Sequence, residues 1–397
     1  MFLLKILEII LLFYFTFSVF YIFIFSFAGL FPYKVFEKKA KRKRKFAVLI
    51  PAYKEDAVIF DVAKNALKQN YQLKLFEIIV IADSFQKKTI EKLKKLPIKV
   101  IEVVFEKSTK SKALNKAMDI IGDNYDIALV LDADNLMEKD FLGKINSAFE
   151  GNLKIVQAHR VAKNLNTNFS ILDAISEEIN NHIFRKGHRI LGFSSALIGS
   201  GMAFDYIFFK NTMKKIKAIG GFDKELELNF LKNGEKIEYL HNALVYDEKV
   251  QKSDVFVNQR RRWVSAQLIY FKRHFFSGLK HLFFKGNFDY FDKVYQMIQI
   301  PRIILIGVLS LIVFLGNVLI LFDINIFPFY FKFWIIIWVF TVLSFLFSIP
   351  KKFYNKRTLF AILILPKSFF LMLFSILKIK GANKKFIHTK HGINNEK

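Results

Sequence analysis

Cysteine is absent from all 397 residues, which excludes disulfide scaffolds, thiol nucleophiles and cysteine-ligated zinc. The eight histidines show no paired spacing such as H-E-x-x-H, so a zinc site is not expected. Glycine and proline are few, 17 and 7, and aromatics are abundant, which excludes disorder and collagen-like repeats. No GxGxxG or GxxxxGK[ST] phosphate loop, internal repeat or low-complexity linker occurs. Acid is the scarce charge: 34 Asp and Glu face 61 Lys and Arg, a net +27. Yet 53% of the chain is hydrophobic and 48 residues are phenylalanine. Charge and apolar surface must therefore be segregated along the sequence, which predicts membrane spans bounded by basic loops. The length allows two or three domains, enough for a sizeable core plus spans.

The run from Ile9 to Tyr33 carries no charge and exceeds the ~20 residues an apolar helix needs to cross a bilayer. Large aromatic and branched residues run to its end, unlike the small-residue end of a cleaved signal peptide, so it reads as an anchor. Lys38-Lys39-Ala40-Lys41-Arg42-Lys43-Arg44-Lys45 follows; the positive-inside rule keeps it cytoplasmic and places the N-terminus outside. Two further spans are expected over Ile303 to Phe322 and Phe333 to Ile349, joined by a loop whose charges are Asp323 and Lys332. The basic loop from Lys351 to Arg357 then lies on the cytoplasmic side. A last apolar stretch, Leu359 to Ile379, is interrupted by Pro366-Lys367 and ends in Lys378, Lys380, Lys384 and Lys385. An interfacial amphipathic helix is favoured over a fourth span, because a crossing would carry the basic tail outside.

Between these segments lie about 250 residues without a long apolar run, expected to form a soluble, cytoplasm-facing domain. Its opening alternates continuous Val/Ile/Leu runs with helical stretches: strands at Phe46–Ile50, Phe76–Ala82, Ile98–Phe105 and Ile127–Leu131, with helices from Asp56, after Ala82 and from Lys110. Unbroken apolar strands belong to a parallel sheet covered on both faces, hence a doubly wound α/β fold. Ligands bind at the carboxyl ends of such strands. Those ends supply Tyr53 and Glu55, then Asp83, then Asp132 and Asp134. Asp132 and Asp134, two residues apart, offer hard oxygen ligands that could hold Mg²⁺ or Mn²⁺ against a diphosphate. A strand-end Asp also caps a helix or turn, as Asp56 is placed to do.

The order FAVLIPAYKED, IIVIADSF, KSTKSKALNKA, ALVLDADN, a later acidic element and Gln259-Arg260-Arg261-Arg262-Trp263 resembles the membrane-bound family 2 glycosyltransferases, which include the cellulose, chitin and hyaluronan synthases. The resemblance covers nearly the whole chain and implies a GT-A-type, mostly parallel sheet flanked by transmembrane helices. It nominates Tyr53, Glu55 and Asp83 for the nucleoside, Lys110 for the diphosphate, with Asn115 on the helix behind it, and Asp132 and Asp134 for the metal and nucleotide. The family's catalytic base lies about eleven residues before a glycine, which from Gly234 gives Asp223. Phe222 stands where the family usually has Glu, so Glu225 stays open as the alternative. Gln259, Arg262 and Trp263 match Q-x-x-R-W, which faces the acceptor channel in processive members; the same run also suits a membrane interface, where Arg meets headgroups and Trp sits in the aromatic belt. Gly199-Ser200-Gly201-Met202 is expected to form a tight loop near the acceptor.

The expected organisation is an anchor over 1–33, a GT-A-like domain over 34–263, an interfacial amphipathic region over 264–302, two spans within 303–349, and over 350–397 a basic loop, an interfacial helix or fourth span, and a cytoplasmic tail. The expected activity is inverting transfer from a UDP-sugar at the inner membrane to a hydroxyl of a growing glycan, or of a lipid-linked acceptor in a single transfer, with Mg²⁺ or Mn²⁺. Expected partners are the donor, the acceptor, membrane lipid and a partner subunit or second copy, with no nucleic acid. The competing class is a non-enzymatic membrane protein whose polybasic segments bind anionic lipid.

Overall fold

The computed structural model describes residues 2–33, 40–216, 218, 220–251, 253–322 and 331–377. Lys38, Lys39, Asp323, and Lys378 with the basic tail beyond it lie outside the described residues. The anchor is α1 (Phe2–Ala28). The middle of the chain carries strands β1 (Phe46–Tyr53), β2 (Phe76–Asp83), β3 (Lys99–Val103), β4 (Ile127–Val130), β5 (Leu136–Met137), β6 (Ile155–Ala162), β7 (Met202–Asp205) and β8 (Glu238–Asp247). Between them run α2 (Ile59–Ala66), α3 (Lys87–Leu93), α4 (Lys110–Ile121), α5 (Phe141–Ala148), α6 (Asn168–Asn180), α7 (His188–Ile190), α8 (Tyr206–Met213) and α9 (Phe222–Lys232). After the sheet come α10 (Ser253–Lys285), α11 (Phe288–Gln296), α12 (Arg302–Leu321), α13 (Phe331–Ser348), α14 (Lys356–Ile362) and α15 (Leu365–Leu377).

The eight strands form one sheet in the order β3-β2-β1-β4-β7-β6-β8-β5. β1, β2, β3 and β4 pair in parallel, as the unbroken apolar runs predict, while β7 is antiparallel to both β4 and β6. The sheet is therefore mixed and mostly parallel. Strand order reverses at β1, which lies between β2 and β4, and such a reversal opens a crevice at the strand carboxyl ends. One face buries Leu49, Ile81 and Val130 against α4, α8 and α9; the other buries Val48, Val80 and Leu129 against α2 and α5. A single-face strand would alternate apolar with polar, so burial on both faces explains the continuous hydrophobic runs.

Four apolar stretches are long enough to cross a membrane: Lys5–Ala28, Arg302–Leu321, Phe331–Ser348 and Lys356–Phe374. In the fourth, a turn at residues 363–364 divides α14 from α15, and Pro366 falls in the first turn of α15, where its missing N–H breaks no helical bond. α15 packs through Phe369 and Met372 on Ile304 of α12.

α1 docks on a helical rod of α6, a π-helical segment (Asn181–Gly187) and α7. The fit is close at two glycines: a Cβ on Gly187 would strike the Phe25 carbonyl oxygen, and one on Gly29 the ring of His182. His188 stacks on Phe25 with ring centroids 3.6 Å apart. Beyond the helix, the Tyr33 hydroxyl donates to Glu238, which also takes the Arg189 fork at 2.7 and 2.8 Å. The anchor is thus built into the sheet domain.

Gly187→Ala gains about 0.5–1 kcal/mol of helix propensity but loses about 1–3 kcal/mol to overpacking against Phe25, so the clash wins. Thermal unfolding in detergent should show a lowered midpoint for Gly187→Ala. Gly143→Ala, in α5 with nothing within 4 Å of its new methyl group, should leave the midpoint unchanged or raised.

Candidate active site

At the open end of the sheet β1 and β2 finish in register, Tyr53 opposite Asp83. Both strands turn sharply there: Lys54 and Ser84 adopt left-handed φ of 55° and 59°. The Lys54 N–H donates to the Asp83 carbonyl at 3.1 Å and the Ser84 hydroxyl to its carboxylate at 2.9 Å. Glu55 and Asp83 are buried. Tyr53, Glu55 and Asp83 therefore share one edge. Asp56 caps no helix, since α2 begins three residues later at Ile59; its carboxylate instead accepts from the Gln86 N–H at 3.0 Å.

One strand over, β4 delivers Asp132 and Asp134. Lys110, the first residue of α4, ion-pairs with Asp132 and donates to the Gly199 carbonyl at 2.7 Å. Gly199 and Gly201 hold φ of +85° and +61°, conformations strained for any residue with a Cβ. Buried Gln157 fastens this turn, accepting from the Ile198 N–H at 3.1 Å and donating to the Ser200 carbonyl at 3.0 Å. The Ser200 hydroxyl reaches Asn135 and accepts from the Asp132 N–H at 3.1 Å. Asp223, at the start of α9, lies 3.8 Å from where a Gly199 Cβ would be, and the Lys110 ammonium sits 5.2 Å from the Phe222 ring centroid. Lys110, Asp132, the glycine loop and Asp223 thus form one cluster. Asn115 lies outside it, donating to the Met213 carbonyl at 3.0 Å.

Glu225 points elsewhere. It is buried and accepts from the Tyr270 hydroxyl of α10 at 3.3 Å. α10 meets α9 at Gly221, whose Cβ would lie 3.3 Å from Ala266, so Gln259, Arg262 and Trp263 come one to two turns before that contact. Trp263 is exposed and carries the Arg260 guanidinium 4.5 Å from its ring centroid, while Arg260 pairs with Asp173 of α6 at 2.6 Å. Burial lowers the Arg262 pKa.

The donor set fits a hard divalent ion. Asp134 is buried, with Oδ2 accepting from the Glu248 N–H at 2.9 Å, and Asp132 is one of the more open acids, its side chain 35% exposed. Among the described residues no three His, Asp or Glu converge as a closed cage. Two carboxylates, completed by waters and phosphate oxygens, are the kind of ligand set Mg²⁺ uses with nucleotides.

Sequence reasoning missed the buried charges behind Asp132. Arg160 of β6 bonds Glu177 at 2.7 Å and stands 3.9 Å from Asp132 and 3.7 Å from Asp247. Glu177 also takes Arg185 at 3.3 Å and faces Lys249 at 3.8 Å. Burial works to raise the Glu177 pKa, but Arg160, Lys249 and Arg185 hold it far below the usual carboxylate range. The available signal was positional: His159-Arg160 interrupts an apolar strand, and Glu177-Glu178 lies between Ile175 and Ile179.

Residues 43–266 match the sequence family described as Glycosyltransferase like family 2. The chain belongs to this family. It is 28% identical over 262 residues to Probable glycosyltransferase YdaM of Bacillus subtilis (strain 168), covering 58% of this chain and 59% of that protein. It is 27% identical over 234 residues to Beta-monoglucosyldiacylglycerol synthase of Nostoc sp. (strain PCC 7120), covering 55% of this chain and 48% of that one. The matches thus span less than two thirds of either relative. In fold the chain resembles a mannosyltransferase of Pyrobaculum calidifontis solved with GDP-mannose and Mn²⁺, with a TM-score of 0.51, 12% identity, and coverage of 89% of this chain and 99% of that one. A GT-A-like fold carrying apolar, membrane-length helices is the architecture of this family 2 member.

Glu177→Gln removes the one carboxylate that Arg185 pairs with among the described residues, and stripping one partner from a buried ion network costs about 3–5 kcal/mol. Unfolding in detergent at neutral pH should show a loss of that order. Because the folded pKa is depressed, the ionised group's contribution is complete above the ordinary Glu value of 4.5 and is lost as pH falls through the folded value. The gap between wild type and variant should therefore narrow in acid.

Proposed function

We propose that this glycosyltransferase moves a sugar from a UDP-sugar to an acceptor hydroxyl at the cytoplasmic face of the inner membrane, with inversion at the anomeric carbon. The observation that carries this reading is the convergence of Lys110, Asp132, the Gly199 turn and Asp223 at the switch point of the sheet. Tyr53, Glu55 and Asp83 hold the nucleoside. Lys110 neutralises the departing diphosphate, helped by Arg262. Asp132 and Asp134 are the residues that would hold Mg²⁺ or Mn²⁺, which when bound supplies further positive charge to the leaving group.

Asp223 serves as the base. It takes the proton of the acceptor hydroxyl as that oxygen attacks, and the sugar–phosphate bond breaks on the opposite side. Its approach to the glycine loop supports this role, whereas Glu225 is engaged by Tyr270. Gln259 and Trp263 line the acceptor approach, with the indole face against a sugar ring.

The acceptor has two readings. Q-x-x-R-W favours a growing glycan. A lipid acceptor is supported by the likeness to the Beta-monoglucosyldiacylglycerol synthase of Nostoc and by Phe276, Phe283, Phe284 and Phe288, all more than 60% exposed along α10 and α11 beside the membrane helices.

Membranes containing the enzyme, given a panel of UDP- and GDP-sugars with Mg²⁺ or Mn²⁺, should release UDP. Release of GDP alone would overturn the donor assignment, and no nucleotide release from any donor would overturn the reading. Sizing the product separates single transfer from polymerisation. Asp223→Asn should lower transfer by about 10²–10⁴-fold, while Glu225→Gln should retain most of it; the reverse order would move the base to Glu225.

A further inference from the structure

We infer that Arg160, together with Lys110, neutralises Asp132 in the absence of substrate, so that the divalent ion enters this site with the nucleotide diphosphate rather than ahead of it. The inference rests on the proposed reading of Asp132 and Asp134 as the metal pair, and makes Arg160 a positioning residue.

Both oxygens of Asp132 face cations: Oδ1 pairs with Lys110, and Oδ2 lies 3.9 Å from Arg160 Nη1. Arg160 is only 11% exposed and unevenly satisfied. Nη2 is committed to Glu177 at 2.7 Å. Nη1 stands between Asp132 and Asp247 at 3.9 and 3.7 Å, beyond hydrogen-bond reach of either. Nε is buried without a hydrogen-bond partner. One nitrogen therefore anchors the guanidinium while its remaining donors hold Asp132 through charge alone.

A dication arriving by itself meets two positive groups already at Asp132, and repulsion between charges a few ångströms apart in a partly buried site is large. A nucleoside diphosphate reverses the balance. Its phosphate oxygens can take Lys110, releasing Asp132 to the ion, and its negative charge offsets the cations left behind. Lys110 makes a poor probe because it also serves the diphosphate. Arg160 is cleaner: without it Glu177 keeps Arg185 and Lys249, Asp247 keeps Lys249, and Asp132 keeps Lys110.

The test is Mn²⁺ binding to the full chain in detergent, read from the electron paramagnetic resonance signal of free Mn²⁺ without turnover. Wild type, Arg160→Gln, Arg160→Lys and Asp134→Asn are each titrated alone, with UDP and with GDP. Wild type should bind Mn²⁺ at least about tenfold more tightly with its nucleotide than without. Arg160→Gln should bind nucleotide-free Mn²⁺ about tenfold more tightly than wild type, and Arg160→Lys should restore the weak binding. A misfolded variant would lose affinity, so a gain cannot arise from damage.

Equal nucleotide-free affinity in wild type and Arg160→Gln would overturn the inference. So would wild-type binding that ignores nucleotide yet disappears in Asp134→Asn, an outcome that leaves the metal pair standing. Absence of Mn²⁺ binding under every condition would remove the metal pair itself and the inference with it.

Discussion

The junction between sheet and membrane helices depends on one buried carboxylate. Glu177 of α6 binds Arg160 from β6 and Arg185 from the π-helical segment, and faces Lys249 just beyond β8. Burying that much charge is expensive, and it is stable only because each group has its partners in place. A hydrophobic contact at the same point would tolerate sliding. An ion network with fixed hydrogen-bond geometry does not, so the rod against which α1 packs is held in one register relative to the strands that carry the strand-end acids.

That register is transmitted to the strand-end acids through short connections. Arg160 links Glu177 to Asp132; Asp132 faces Lys110; Lys110 holds the Gly199 carbonyl, and Asp223 lies against that turn. A second buried acid supports the loop from the other side. Glu227, fully buried on α9, accepts from the Leu197 N–H at 3.2 Å and pairs with Lys293 of α11 at 2.7 Å. The glycine turn is thus clamped between an acid network under β6 and another under α11, which orders the turn before any ligand arrives.

Much of this was legible in the sequence, and the boundary of what was legible has a physical cause. β1 and β2 were placed to within a few residues because a strand buried on both faces must be continuously apolar, and α4 begins at Lys110 as expected, with Thr109 capping it through the Lys112 N–H. The strand-end acids followed from the same logic, since a parallel sheet puts its crevice at the carboxyl ends. What stayed hidden were charges whose partners lie far away in sequence. Arg160 and Glu177 are 17 residues apart, and nothing local separates such a buried pair from two solvated residues. The direction of Glu225 was hidden for the same reason: its partner Tyr270 is 45 positions away, so counting from Gly234 nominated Asp223 without explaining why the neighbouring acid is engaged elsewhere. The π-helical segment had no sequence marker beyond Gly187, whose need shows only when Phe25 is seen against it.

The chain's charge surplus gains its meaning from an inversion of the usual pattern of burial. Acids and bases alike are seldom buried, yet among the described residues ten of the acids are buried, from Glu55 and Asp83 through Glu177 and Glu227 to Asp247, against Arg185, Lys249 and Lys293 alone of the lysines and arginines. Carboxylates are short and sit deep, whereas Lys and Arg reach them along apolar stems from outside. Several of the buried acids have such a partner: Glu238 takes Arg189, Asp173 takes Arg260 and Glu178 takes Lys352. Lys110, Arg160 and Lys224 lie within 4 Å of Asp132 or Asp223, acids that are only partly buried. At the crevice itself the order differs: Asp132 is more open than either of its cations, 35% exposed against 20% for Lys110 and 11% for Arg160, so a ligand there meets acid and base side by side.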